Sequence, residues 1–273
     1  MIKKITSKKL PLYLIIYGMQ NFLSQDERNK LKAHKKERDK CTMHLFSHPI
    51  FLWLMAISFS SPAFGLTLSL PNMNGACVHV FGDSHARAAF DNIEPCTVHY
   101  IGPTTMHRVG REGIIFLNLS NYAIKEGDTA IFVLGEIDVR CHIAKQHAAG
   151  RFVDEIIDTL ARNYIAAILE NQKLCKKIHC VIFAVVPPTN IAYNPDYPYC
   201  GSLGERIEYT QKLNKKLHEL CRACQFHVID VYTDFATPAG SLNPDLGDGN
   251  VHIADKRPVE TKLYTLLNVL YAQ

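Results

Sequence analysis

The 273-residue chain contains no internal repeat of solenoid period and no low-complexity stretch, which excludes repeat arrays and compositionally biased tails. It also lacks a long apolar run. The most continuous one, Ile50–Phe59 (IFLWLMAISF), falls well short of the about 20 residues a membrane-spanning helix needs. Net positive charge is absent outside one segment. The net charge of +4 arises within residues 1–40, where Lys3, Lys4, Lys8, Lys9, Arg28, Lys30, Lys32, Lys35, Lys36, Arg38 and Lys40 face only Asp26, Glu27, Glu37 and Asp39. The remainder is close to neutral, so no basic face for nucleic acid is expected on it. A second CxxC is missing as well. Cys221 and Cys224 make the one such pair, inside a predicted helix, and by themselves they do not form a zinc site. What is present is ordinary globular composition, 47% hydrophobic and 21% charged, in a chain long enough to bury a sizeable core.

The N-terminal quarter reads as an appendage covering residues 1–70. Residues 10–23 are apolar and aromatic, 25–40 basic and polar, and His44–Leu70 contains the apolar run. Residues 43–65 suit a signal peptide, with Ala63-Phe64-Gly65 as a cleavage site and Met43 as an alternative start that would make 1–42 an over-extension. The other reading is a membrane-associated or poorly ordered leader, with contact through residues 44–70. Export or membrane association is thus one expectation for localisation, and a cytoplasmic chain is the alternative. Beyond the leader stand Cys77, Cys96, Cys141, Cys175, Cys180, Cys200, Cys221 and Cys224. An even number suits disulfides in an exported protein. Several fall in segments that read as buried, however, which favours free thiols behaving as small apolar residues.

From residue 76 to 273 the pattern is one domain of alternating strands and helices. Ala76–Phe81, Thr97–Ile101, Asp128–Leu134, His179–Val186 and Phe226–Val231 are short β-rich runs, most of them bounded by Gly or Pro. Their nearly continuous apolar character suits parallel strands covered on both faces. Phe152–Asn171, Arg206–Cys224 and Pro258–Tyr271 carry apolar residues at helical spacing. The fold class is α/β, a three-layer α/β/α sandwich around a five-stranded parallel sheet. Ligands in such sheets sit beyond the carboxyl ends of the strands, which directs attention to residues 82–87, 102–110, 135–142, 187–200 and 244–252.

The first of these reads Gly82-Asp83-Ser84-His85, placing a serine on a strand-to-helix turn where its hydroxyl is exposed and backbone N–H groups are near. The last reads Asp248-Gly249-Asn250-Val251-His252, a histidine with a carboxylate close by to fix its tautomer. Either block alone is weak, since a serine at a helix start is more often a cap. Together they resemble the SGNH/GDSL hydrolase superfamily, over roughly residues 77–270.

The resemblance implies an esterase or acyltransferase with a flavodoxin-like SGNH hydrolase fold, acting on a small acyl ester, with carbohydrate acyl groups as the suggested substrates. It implies Ser84 as nucleophile, His252 as base, Asp248 as acid and the Gly102 N–H as an oxyanion donor. It implies no cofactor and no metal. The family's third block is Gly-x-Asn-Asp, whereas this chain has Gly135-Glu136-Ile137-Asp138-Val139-Arg140-Cys141-His142, with Ile137 at the asparagine position. A GDSH…GEIDxRxH subgroup of bacterial proteins shares that form. Glu136, Asp138, Arg140 and His142 are accordingly candidates for the site; Arg140 either replaces the missing donor or pairs with Glu136 or Asp138. The family also places its acid three residues before the histidine, and Asp248 is four before, leaving Asp245 and Asp138 as alternatives. The loop from Pro187 to Gly201, rich in Pro, Tyr and Asn, is a candidate substrate wall or a stiff connector.

Two rivals stand beside this reading. A catalytically weak or inactive domain of the same fold would bind a glycan or a partner protein without turnover. A metal-dependent phosphoesterase would use Asp83, His85 and His252, with His107 and His142 as further ligands.

Overall fold

The computed structural model describes residues 69–272 apart from Tyr193. The leader, including the signal-like segment 43–65, lies outside the described residues except for Ser69 and Leu70. Among the described residues no helix is long and apolar enough to cross a membrane.

Five parallel strands, β1 (Val78–Gly82), β2 (Cys96–Tyr100), β3 (Thr129–Val133), β4 (His179–Phe183) and β5 (His227–Ile229), form one sheet in the order β2-β1-β3-β4-β5. The expected α/β/α sandwich is thus the observed architecture. Side chains alternate across the sheet and fill two cores. Phe81, Ala130, Phe132, Cys180 and Ile182 meet helices α2 (Met106–Glu112), α4 (Val153–Leu174) and α5 (Leu203–Cys224) on one face. Val78, Val80, Ile131, Val133, Val181 and Phe183 meet α1 (Ser84–Phe90) and α7 (Arg257–Tyr271) on the other. Two short helices, α3 (Ile143–Ala148) and α6 (Tyr232–Phe235), complete the set.

The predicted strands all exist, with shifted ends. The expected β4 runs to Val186, but its ladder ends at Phe183. The reason lies in α5: the Asn214 side chain accepts from Val185 N at 2.8 Å and donates to Val185 O at 2.8 Å, taking over the backbone groups a neighbouring strand would have used. Helix α5 starts at Leu203 rather than Arg206. Ser202 caps it by accepting from Glu205 N, and Glu205 reaches back to Ser202 N.

The order of strands changes direction between β1 and β3, and the crevice at their carboxyl ends is where such sheets bind ligands. Two glycines keep that crevice closed beneath. At Gly82 a Cβ would collide with the Val133 carbonyl and lie 2.8 Å from Ala86 Cβ, so β1 can turn into α1 beside β3 only without a side chain. Gly135 has φ +116° and would bring a Cβ within 2.8 Å of Val185 and 2.9 Å of Met106.

All eight described cysteines are free thiols, so the free-thiol expectation is the one the structure matches. Burial pushes Cys96, Cys180 and Cys221 up to about 12, which leaves them protonated and unreactive at neutral pH.

Asn214→Leu removes both partners of a buried peptide while keeping the side-chain volume similar. Unsatisfied buried groups cost roughly 1–3 kcal/mol each, so the variant should lose about 3 kcal/mol in urea denaturation. A loss under about 0.5 kcal/mol would mean that Val185 finds other partners.

Candidate active site

Ser84 opens α1 immediately after β1, and the turn that presents it is made by its neighbour. Asp83 is the N-cap, its Oδ1 accepting from His85 N at 2.8 Å. Ser84 is half-buried, and as the first helical residue its N–H has no acceptor within the helix.

His252 reaches Ser84 from a small hairpin-like turn before α7. Gly247 and Ile253 form an antiparallel bridge, and Asp248 N donates to His252 O at 3.0 Å. Within the turn Asp248 Oδ1 accepts from Asn250 N at 2.8 Å and His252 N at 3.1 Å. Gly249, at φ +83°, takes up the additional residue between acid and histidine. The register is therefore restored: Asp248 Oδ2 lies 2.8 Å from His252 Nδ1, and His252 Nε2 lies 2.9 Å from Ser84 Oγ. Because a carboxylate only accepts, Nδ1 carries the proton and Nε2 is left to accept from the serine hydroxyl. Burial works against charge on Asp248, but bonds from the His252 ring and from the Asn250 and His252 N–H groups outweigh it and hold the carboxyl below its usual range. The two alternative acids are elsewhere: Asp245 is exposed on a turn, and Asp138 is engaged by backbone donors.

Directly behind the triad lies a residue the sequence reading placed only in the phosphoesterase rival. The His85 ring is 4.6 Å from that of His252 and 5% exposed. Its Nδ1 is 3.2 Å from Asp83 Oδ1, its Nε2 is 3.2 Å from Val251 O, and Glu136 Oε2 is 3.8 Å away. All three partners only accept, so both ring nitrogens must carry protons and His85 is an imidazolium. Burial, the largest influence, opposes that charge. Glu136, Asp83 and the Val251 carbonyl together overcome it and raise the pKa to about 9. His85 thereby ties the turn at the end of β1 to the residue preceding His252. Its position next to Ser84 in the sequence was the available signal.

The block after β3 serves the same frame. Both Glu136 oxygens accept from Arg140 Nε, at 2.8 and 3.0 Å, and Arg140 NH1 donates to Pro198 O at 2.6 Å. Of the two roles considered for Arg140, the geometry is that of the ion pair with Glu136. Asp138 accepts from Met106 N at 2.7 Å and His107 N at 3.2 Å, holding the start of α2. Burial pushes its carboxyl up to about 7 against the pull of those two N–H groups. Val139, Arg140 and Cys141 are buried within a π-helical turn, Asp138–His142, that follows Ile137. His142 is half-buried; burial first, then Lys145, His107 and Arg140, lower its pKa and keep it neutral.

That turn also fixes the loop over the site. Cys141 Sγ donates to Pro198 O at 2.8 Å and Cys200 N donates to Arg140 O at 2.8 Å. Tyr197, just before these anchors, sets its ring edge-on to His252 at 5.7 Å. Gly102, two residues beyond β2 and at φ +82°, has open space where a side chain would be, and among the described residues no group accepts from its N–H. Of the rival's ligands, Asp83, His85 and His252 lie together, but His85 is held between Asp83 and Val251 O and His252 between Ser84 and Asp248, while His107 is exposed. Among the described residues, the metal-capable trio is instead Cys77, His79 and Asp128, at the far end of β1.

No family model and no curated protein matches the sequence. Solved structures do resemble the fold. A GDSL-like lipase from Bacteroides thetaiotaomicron aligns with a TM-score of 0.52 and 16% identity, over 74% of this chain and 92% of its own. A proposed acylhydrolase from Bacteroides fragilis aligns with a TM-score of 0.52 and 16% identity, over 75% and 92%. The chain has an SGNH/GDSL hydrolase-like fold.

The imidazolium of His85 makes a signed prediction. A histidine whose folded pKa of about 9 lies above its unfolded value of 6.5 contributes fully below pH 6.5 and is lost as pH rises through 9. Unfolding free energy should therefore fall by about 3 kcal/mol across that window. His85→Gln should flatten the decline, since Asp138, raised to about 7, acts largely below it. An equal slope in the variant would assign the decline to another group.

Proposed function

We propose that this domain is a serine-dependent ester hydrolase or acyltransferase acting on a small acyl ester, with esters of carbohydrate hydroxyls as the best-fitting class. The observation that carries the reading is the unbroken line from Ser84 Oγ through His252 to Asp248, at 2.9 and 2.8 Å. A geometry of this kind activates a hydroxyl that would otherwise be a weak nucleophile.

In the proposed reaction Ser84 Oγ attacks the acyl carbonyl while its proton passes to His252 Nε2. The resulting imidazolium is stabilised by Asp248. The tetrahedral oxyanion is met by the N–H groups of Ser84 and Gly102, neither of which is engaged elsewhere among the described residues. Collapse breaks the ester C–O bond, and His252 returns the proton to the leaving alcohol. Water or an acceptor hydroxyl, deprotonated by the same nitrogen, then attacks the acyl-enzyme and frees Ser84. Tyr197 offers an aromatic wall beside His252, and an aromatic face or edge next to hydroxyl-rich substrate suits a sugar ring.

One observation favours a second reading. Ile137 has no side-chain donor, and Arg140 is committed to Glu136 and Pro198, so the third oxyanion donor of the related fold is not replaced. Loss of one such donor costs on the order of 10²–10³ in turnover. A domain that binds an acyl glycan with little or no turnover is the alternative.

Covalent labelling by a fluorophosphonate probe separates them. The parent chain should label and Ser84→Ala should not. Both Ser84→Ala and His252→Ala should lose at least about 10⁴-fold in hydrolysis of a small acyl ester, and Asp248→Asn a comparable amount. A parent that neither labels nor hydrolyses, yet binds an acylated sugar as tightly as Ser84→Ala does, makes it a binding domain.

A further inference from the structure

At the opposite end of β1 from Ser84, about 20 Å along the strand, a second group of reactive side chains converges. The segment entering β1 and the segment entering β3 are held together there by backbone bonds. Cys77 N donates to Asp128 Oδ1 at 2.7 Å, and Thr129 N donates to Cys77 O at 2.9 Å. This pairing brings Cys77, His79 and Asp128 together, with one ligand-type atom from each inside a span of 4.8 Å.

His79 is the telling member. The residue is 7% exposed, and its Nε2 is buried without a hydrogen-bond partner. Asp128 Oδ2, which accepts from Lys125 N at 2.7 Å, lies 3.3 Å from that nitrogen, within ion-pair reach but without a hydrogen bond. The other ring nitrogen, Nδ1, lies 3.0 Å from His99 Nε2. With the proton on Nδ1, His79 donates to His99 and its Nε2 lone pair points into the cluster. That is how metal-binding histidines are commonly held, the second nitrogen donating to a neighbour that fixes ring and tautomer. With the proton on Nε2 instead, the N–H would face Asp128 Oδ2 at 3.3 Å without completing a hydrogen bond, so the Nδ1 tautomer leaves the lone pair for a ligand.

We propose that Cys77 Sγ, His79 Nε2 and Asp128 Oδ2 form a zinc-binding site at the amino end of the sheet, separate from the serine site. A thiolate, an imidazole and a carboxylate together are the donor set that Zn²⁺ accepts in tetrahedral coordination. Such geometry holds ligand atoms roughly 3–4 Å apart, given metal–ligand bonds of about 2.0–2.3 Å. His79 and Asp128 already have that spacing. Cys77 is exposed, so rotation about its Cα–Cβ bond brings the thiol in, with its proton released to solvent. Three protein ligands leave a fourth position for water on the exposed side. The bound ion joins the entrances to β1 and β3, two adjacent interior strands of the sheet.

Cobalt(II) serves as the spectroscopic probe, added to the full chain after treatment with a chelator and a reductant. The parent should take up one equivalent with a thiolate-to-cobalt charge-transfer band, zinc should displace it, and zinc should raise the melting temperature. Cys77→Ser alters an exposed side chain and leaves the fold intact. It should abolish the band and weaken zinc binding on the order of 100-fold, and His79→Gln should do the same. Failure of the parent to bind, or an undiminished band in Cys77→Ser, overturns the site and leaves His79 and Asp128 as a buried pair. Neither outcome bears on Ser84, whose labelling is tested independently.

Discussion

A protonated histidine in the interior is costly, and the arrangement around the candidate active site follows from how that cost is met at His85. The charge is surrounded by two carboxylates and a peptide carbonyl that come from three places in the chain: Asp83 after β1, Glu136 after β3, and Val251 in the turn before α7. Deleting either carboxylate would leave the buried charge only partly compensated, which is more damaging than never having the charge there. The three segments are therefore bound to a common position. Ser84 and His252 are each one residue from a member of this group, so their mutual distance is set by it.

The same charges extend outward. Glu136 is shared between His85 and Arg140, and Arg140 passes the constraint to Pro198. Positive and negative groups alternate from the turn under Ser84 to the loop carrying Tyr197. The block after β3, whose form in related folds contributes a side-chain donor, here contributes scaffolding: Glu136 and Arg140 toward the loop, Asp138 toward α2. In the proposed reaction the oxyanion is met by backbone N–H groups, while the side chains of this block place the segments that carry them.

Much of this architecture was legible in the sequence because β1, β3 and β4 are buried on both faces and read as nearly continuous apolar runs. The pair Ser84 and His252 was legible because each sits in a polar turn at a strand or helix boundary. The acid was harder to assign, since its spacing differs by a residue whose effect depends on the left-handed Gly249. The strand end at Phe183 could not be read because the group that ends it, Asn214, is 29 residues away from Val185. The charge of His85 was hidden for the same kind of reason: its local sequence names Asp83, but Glu136 and Val251 reach it only through the fold. The Cys77, His79 and Asp128 cluster depends on the register of two parallel strands, which no local pattern encodes.

Ser84 and His252, the proposed nucleophile and base, are 168 residues apart in the chain. During synthesis the ribosome delivers Ser84 early, while His252 emerges only just ahead of α7, whose Val259, Leu263 and Leu267 pack on the same sheet face as α1. Under the proposed reading, chemical competence waits until the closing helix docks, because the order in which the ribosome delivers residues places His252 after Ser84 and the whole sheet.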